Sequence, residues 1–412
     1  MSRKILNCVS FRQPMTNNST LSQKIYLDHN ATAPVDEQIF AQISSWGCGN
    51  PSSIHWAGRA TKNLIRDARS ALAQNLGAHP LELIFTSGGS ESNNTVIKGI
   101  WLHELAKPAD LRRTHYLCSQ VEHPSVIKTL QFLQSQGFIS VDWIPVHRDG
   151  KMDLKFIQEH ASEKTALISV MMANNETGNL FPIEQIVLIA KAKNILVHTD
   201  AVQALGKIPV DLKSLGVDYA SFSGHKFYSL KGCGLLYCKK GASYLPLIHG
   251  GGHERHRRGG TENTYGIAAL GLMAARLPEV TEKNKTVAQL RDLFEAEVLQ
   301  SIADVQIVGR ESMRLSNTSS LLIDGVDGET LLMSLDLKGF AVSTGAACSS
   351  GNPEPSPVLL AMGLSRAEAQ SSLRISLGWG NTESEILLFI EALKKTVQHL
   401  RSLHGYKERK MS

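Results

Sequence analysis

Between residues 60 and 240 the chain alternates short apolar runs rich in β-branched residues with stretches of helical length. A strand that is apolar at consecutive positions must be buried on both faces, and a parallel neighbour is reached only through a long crossover. The alternation therefore predicts a mostly parallel sheet covered by helices. The strand candidates are LIFTS, HYLCS, VDWIPV, ALISVMM, ILVHTD, YASFS and GLLYC, and residues 93–105 and 182–193 are long enough for crossover helices. After about Tyr265 the texture changes to long helices around two or three strands, SSLLI and LRISL among them, which predicts a second, α+β domain. Thr382, three residues before Glu385, forms a capping box that opens the last helix.

At 412 residues the chain exceeds the size at which one hydrophobic core stops growing. The expected division is a flexible arm over 1–24, a large domain over 36–281, and a smaller domain built from 25–35 and 282–412. Hydrophobic residues make up 42% and charged residues 20%, the balance of an ordinary globular protein. The net charge of +5 is spread along the chain and gives no reason to expect direct nucleic-acid binding. The longest uncharged apolar stretch, YGIAALGLMAA, is about half of the ~20 residues that a membrane span needs, so no membrane segment is expected.

The six cysteines, at positions 8, 48, 118, 233, 238 and 348, are too few and too scattered for a disulfide framework, and a reducing cytosol fits best. Cys233 and Cys238 flank the apolar run GLLY with no second pair to follow, so no metal site is expected. The first 24 residues hold Arg3, Lys4, Arg12 and Lys24 without an acid. That composition weakly resembles an organellar transit peptide and keeps an organellar matrix as the alternative to the cytoplasm.

Ligands of open α/β sheets sit beyond the carboxyl ends of the strands, and the residues there are unusually polar. LIFTS is followed by GGSESNN, where Gly88 and Gly89 permit a tight turn and Ser90 opens a helix whose first amides suit a phosphate. Gly-Ser turns that merely cap helices are common, so this signal is weak alone. HYLCS is followed by VEHPSV, with His123 at the head of a helix, where a lone histidine is more often a cap than a catalyst. ILVHTD ends on Asp200 with Gln203 one turn later, and a carboxylate at a buried strand end needs a cationic or hydrogen-bonding partner. YASFS is followed by GHK, a tight setting in which Lys226 is poorly placed as a routine solvated lysine.

A Schiff-base lysine, an acid for a ring nitrogen, a ring to stack above it and donors for a phosphate together make the set that pyridoxal phosphate requires. The sequence resembles the cysteine desulfurases of the NifS and IscS type within the aminotransferase class V family. The motifs YLDHNATAPVD, NPSSIHWAGR, FTSGGSESNN, EHPSV, NNETG, HTDAVQALGK, SFSGHKFY, HGGGHERHRRGGTEN, STGAACSSGNPEPS and LRISLG carry the resemblance from about Ile25 to Glu385. It implies the fold of type I pyridoxal-phosphate transferases. It also implies that Lys226 forms the Schiff base, Asp200 pairs with the pyridine nitrogen, Gln203 contacts the ring hydroxyl and His123 stacks on the ring and carries protons. Gly89, Ser90, Ser223 and His225 would hold the phosphate end of the cofactor, with Thr261 arriving from the second subunit of a homodimer. Asn175, Arg374 and Asn30 would bind the substrate, L-cysteine, and the planar guanidinium of Arg374 suits its carboxylate. The sequence departs from the family where Ala33 and Ser90 stand in place of frequent threonines, and neither change removes a necessary group.

The segment STGAACSSGNPEPS is rich in Ser, Gly and Pro and predicts a mobile loop over about 343–357. A cysteine in such a loop needs a chemical reason, and the resemblance makes Cys348 the nucleophile that accepts sulfur and passes it to an acceptor protein of unknown identity. The sulfur would then serve iron–sulfur clusters, thio-cofactors or tRNA. The rivals are a selenocysteine lyase, another pyridoxal-phosphate lyase or aminotransferase, and an inactive scaffold for sulfur-transfer partners. Transamination needs no thiol, and a scaffold has no use for Lys226, Asp200, Cys348 and Arg374 together.

Overall fold

A computed structural model describes residues 24–47, 49–345, 354–403 and 405–406. Its strands, in chain order, are β1 (Ile25–Tyr26), β2 (Leu83–Thr86), β3 (His115–Ser119), β4 (Ser140–Ile144), β5 (Thr165–Ser169), β6 (Leu196–Asp200), β7 (Tyr219–Ser223), β8 (Gly234–Cys238), β9 (Val305–Ile307), β10 (Thr318–Ile323), β11 (Phe340–Ala341) and β12 (Ser372–Ser376). The seven strands expected from the apolar runs form one sheet in the order β2-β8-β7-β6-β5-β3-β4. Neighbours run parallel from β4 across to β7, while β8 is antiparallel to both β7 and β2. The interior strands β5 and β7 are buried at every position, which is why they read as continuous apolar runs rather than alternating ones.

The chain after the long helix Leu277–Ser301 builds a second sheet in which β10 pairs antiparallel with β12 and β9, and its β11 pairs in parallel with the amino-terminal β1. Its core unites Leu27 of the amino-terminal segment with Phe294, Leu321, Leu373 and Phe389. The boundary expected at residue 281 falls inside the long helix. Val280 of that helix packs in the large core, and Val287, Leu290 and Phe294 pack in the small one. Residues of the carboxyl-terminal part, Val358, Leu359 and Met362 among them, also pack in the large core. The last helix, Glu383–Leu403, opens with the reciprocal bonds that the sequence predicts: Glu385 N donates to Thr382 Oγ1 and Thr382 N to Glu385 Oε2. No helix among the described residues is long and apolar enough to cross a membrane.

Residues 346–353, which include Cys348 and most of the expected loop, lie outside the described residues, as do residues 1–23 of the expected arm.

Candidate active site

Strands β2, β3, β6 and β7 deliver their carboxyl ends to one side of the sheet, where a cavity of about 330 Å³ opens. The helix Gly89–Leu105 starts at its edge with no side-chain cap on its first turn, leaving amides free to face a ligand. Close approach there depends on glycine. A Cβ on Gly234 would lie 2.5 Å from Gly88 Cα, and one on Gly89 would lie 2.6 Å from Val202 Cγ2. Asn30, Gly89, Ser90, His123, Asn175, Asp200, Gln203, Ser223, His225, Lys226 and Arg374 all line the cavity. Thr261 does not; it is exposed elsewhere on the surface of the protomer.

Asp200 ends β6 and is buried. Its Oδ2 accepts from Asn93 Nδ2 at 2.7 Å and its Oδ1 from the Val202 amide at 3.0 Å, and no ion pair to it is formed among the described residues. A buried carboxylate at a cavity wall without a cation suits a protonated heteroaromatic nitrogen. Lys226 sits in the tight turn after β7, and its Nζ donates to the carbonyls of Asn30 at 2.5 Å and Ala31 at 2.6 Å. Burial, then the nearby Arg374 charge, lowers its pKa to about 8 against the pull of Asp28 and Asp200. A lowered pKa raises the share of neutral amine that carbonyl condensation needs.

His123 caps the helix Pro124–Ser135, its Nδ1 accepting from the Ser125 amide at 3.1 Å, and also lines the cavity. The cap holds the ring with Nδ1 as acceptor, so the neutral ring carries its proton on Nε2. Burial lowers its pKa, opposed by Asp200 and assisted by Lys226. His225 is lowered to about 4, by burial first and then by Lys226 and Lys231. Arg374, in the middle of β12, is buried; its NH2 pairs with Asp28 Oδ1 at 2.6 Å and its NH1 donates to Asn175 O at 3.1 Å. Its buried Nε has no hydrogen-bond partner among the described residues, and NH1 and NH2 each keep a second N–H as donor capacity for a carboxylate.

A matching family description, aminotransferase class V, spans residues 25–389. The cysteine desulfurase IscS of Dictyoglomus turgidum is 40% identical over 392 residues, covering 94% of this chain and 98% of that protein. That of Methanosarcina thermophila is 41% identical over 391 residues, covering 94% and 95%. Among solved structures, a NifS-like protein from Rickettsia africae is 34% identical with a TM-score of 0.81, covering 91% of this chain and 100% of that one. The protein SspA, solved in complex with cysteine, is 32% identical with a TM-score of 0.76 over 86% and 99%. This chain belongs to the aminotransferase class V family. Its cofactor is pyridoxal phosphate, and the polarity of the cavity fits that group: an acid without a cation, a lysine of lowered pKa and uncapped helix amides.

Four further groups of this class V protein escape a reading of strand ends alone. Glu122 is buried beside Asp200 with its Oε1 accepting from the Met171 amide, and burial followed by the Asp200 charge raises its pKa. Glu176 is buried against the foot of the expected loop. Ser356 donates to its Oε2, and a Cβ on Gly345 would come within 2.7 Å of that oxygen. Burial pushes Glu176 up to about 7. Asp28 anchors Arg374, and Lys207 lies behind Gln203. All four lie within quoted motifs, EHPSV, NNETG, YLDHNATAPVD and HTDAVQALGK, but only their partners reveal what they do.

Proposed function

We propose that this chain is a cysteine desulfurase, which converts L-cysteine to L-alanine and places the sulfur on Cys348 as a persulfide. The carrying observation is the convergence of Lys226, Asp200 and Arg374 on one cavity whose wall includes Gly345, three residues before Cys348. The desulfurase names of the relatives and the cysteine bound to SspA support the reading.

Pyridoxal phosphate, when bound, supplies an electron sink for charge developing at the substrate α-carbon. Lys226 would link the cofactor and, once freed, would take the α-proton on Nζ. Asp200 would hold a proton on the cofactor's ring nitrogen. Gln203 would contact the ring hydroxyl, and Gly89, Ser90, Ser223 and His225 would hold the phosphate. Arg374, Asn175 and Asn30 orient the substrate carboxylate, and His123 Nε2 carries a proton. The Cys348 thiolate attacks the substrate sulfur. The S–S bond forms as the carbon–sulfur bond breaks, and the electron pair left on the β-carbon takes up a proton to give alanine.

The protein works as a homodimer in which Thr261 reaches the neighbouring subunit's phosphate site. The exposed apolar side chains Ile54, Trp56 and Tyr265 support a partner surface. The persulfide passes to an acceptor protein in the cytoplasm. The large and small domains divide near the long helix, as the two cores suggest. Lys226→Ala tests the core of the reading: it abolishes the borohydride-stable bond to pyridoxal phosphate, and covalent trapping by this variant would refute the assignment.

A further inference from the structure

Lys207 is a lysine that the proposed chemistry does not use. Its stem lines a surface groove beside Gly206 and Asn284, while its ammonium is enclosed. Nζ donates to Gln203 Oε1 at 2.5 Å and to Asn30 Oδ1 at 2.6 Å, and no carboxylate pairs with it among the described residues. Burial, with the Lys226 and Arg374 charges, lowers its pKa. Enclosing an ammonium beside two other cations is costly, and a Met stem would fill the same space without that cost.

The hydrogen bonds explain why a donor stands there. A primary amide has two ends that sterics hardly distinguish, so its partners decide which end faces a ligand. Lys207 can only donate to Gln203 Oε1, and Asn30 O can only accept from Gln203 Nε2, at 3.0 Å. Both partners demand the same orientation, in which the cavity-facing amide keeps its N–H end available to an anionic oxygen. Asn30 is fixed in the same way. Its Oδ1 takes Lys207 and Asn317 Nδ2, so its Nδ2 is directed to Asn175 O and Thr318 Oγ1. Asn175 O in turn accepts from Arg374.

We propose that Lys207 is a positioning residue that sets the amide orientations of Gln203 and Asn30, and thereby presents an N–H donor to the cofactor's ring hydroxyl. The inference rests on the proposed contact of Gln203 with that hydroxyl. Without Lys207, Gln203 Oε1 loses this donor and the amide is free to turn its oxygen toward the same anionic group.

The test is a double-mutant cycle on the full-length protein, with the dissociation constant of pyridoxal phosphate measured by equilibrium dialysis and folding followed by thermal melts. Lys207→Met weakens cofactor binding about tenfold, the size of one hydrogen bond to a charged oxygen. In a Gln203→Met background the same substitution changes the constant little, because the amide proposed to face the cofactor is gone and Asn30 is assigned to the substrate, not the cofactor. An equal factor in both backgrounds overturns the inference, since a purely structural lysine acts additively. Unchanged affinity in Lys207→Met, with weakened affinity in Gln203→Met, overturns it while leaving the Gln203 contact standing. Unchanged affinity in Gln203→Met removes that contact and the inference together. If Lys207→Met does not fold, Lys207→Leu, which likewise lacks a donor, carries the same cycle.

Discussion

Removing the cofactor and varying pH exposes the state of Lys226 directly. With its pKa lowered from 10.5 to about 8, by burial first and then by Arg374, the amine is roughly one-tenth neutral at pH 7. An unperturbed lysine would be neutral in only about one molecule in three thousand, so the site gains roughly 300-fold in reactive amine. The assay follows the rate at which apoprotein captures pyridoxal phosphate, quenched with borohydride between pH 6 and 10. Rates are divided by those of a free lysine derivative to cancel the aldehyde's own ionisations. The protein rate climbs about tenfold per pH unit and levels near pH 8, so the ratio to free lysine is greatest below that point and falls above it. A constant ratio across the range would mean that Lys226 behaves as a solvated lysine and would refute the reasoning. Replacing Arg374 by Met removes a positive charge and moves the break upward.

Arg374→Ala weakens cysteine binding while cofactor content is kept, and it also lowers stability by about 3 kcal/mol because Asp28 loses its partner; steady-state kinetics and denaturant titration check the two effects. Glu176 has a folded pKa raised to about 7 from 4.5, so its contribution is full below pH 4.5 and is lost as pH rises through 7. The shift corresponds to about 3 kcal/mol, and Glu176→Gln flattens that part of the pH–stability curve measured by urea unfolding between pH 5 and 8. Mixing Lys226→Ala chains with Thr261→Ala chains gives hybrid dimers with one intact site; verified hybrids without activity would contradict the shared site.

The sheet was legible because burial on both faces forces an unbroken apolar run, and β7 and β8 coincide with YASFS and GLLYC. Strand ends were less legible: ALISVMM continues past Ser169, because Val170, Met171 and Met172 stay buried after the ladder stops. Division into domains at a residue was hidden because one 25-residue helix serves both cores. Gly89, Ser90, His123, Asp200, Gln203 and Lys226 of the cavity wall could be read from the polar turns after the strands, while Asn30, Asn175, Ser223, His225 and Arg374 came from the resemblance. The supporting groups could not. Lys207, Glu122 and Glu176 have no local signal, since a buried charge within a motif is recognisable only through the distant atoms it touches. His123 shows the opposite ambiguity, because the capping role and the place at the cavity belong to the same ring.

The central claim is that sulfur leaves cysteine by way of Cys348. Its most direct test follows single-turnover reaction of the pyridoxal-phosphate-loaded protein with L-cysteine, measuring alanine and the mass of the Cys348 peptide together. This peptide gains one sulfur atom in step with alanine, and Cys348→Ser loses both while still binding the cofactor and cysteine. Alanine formed at an undiminished rate by Cys348→Ser, with no sulfur on the wild-type peptide, would contradict it and favour a lyase.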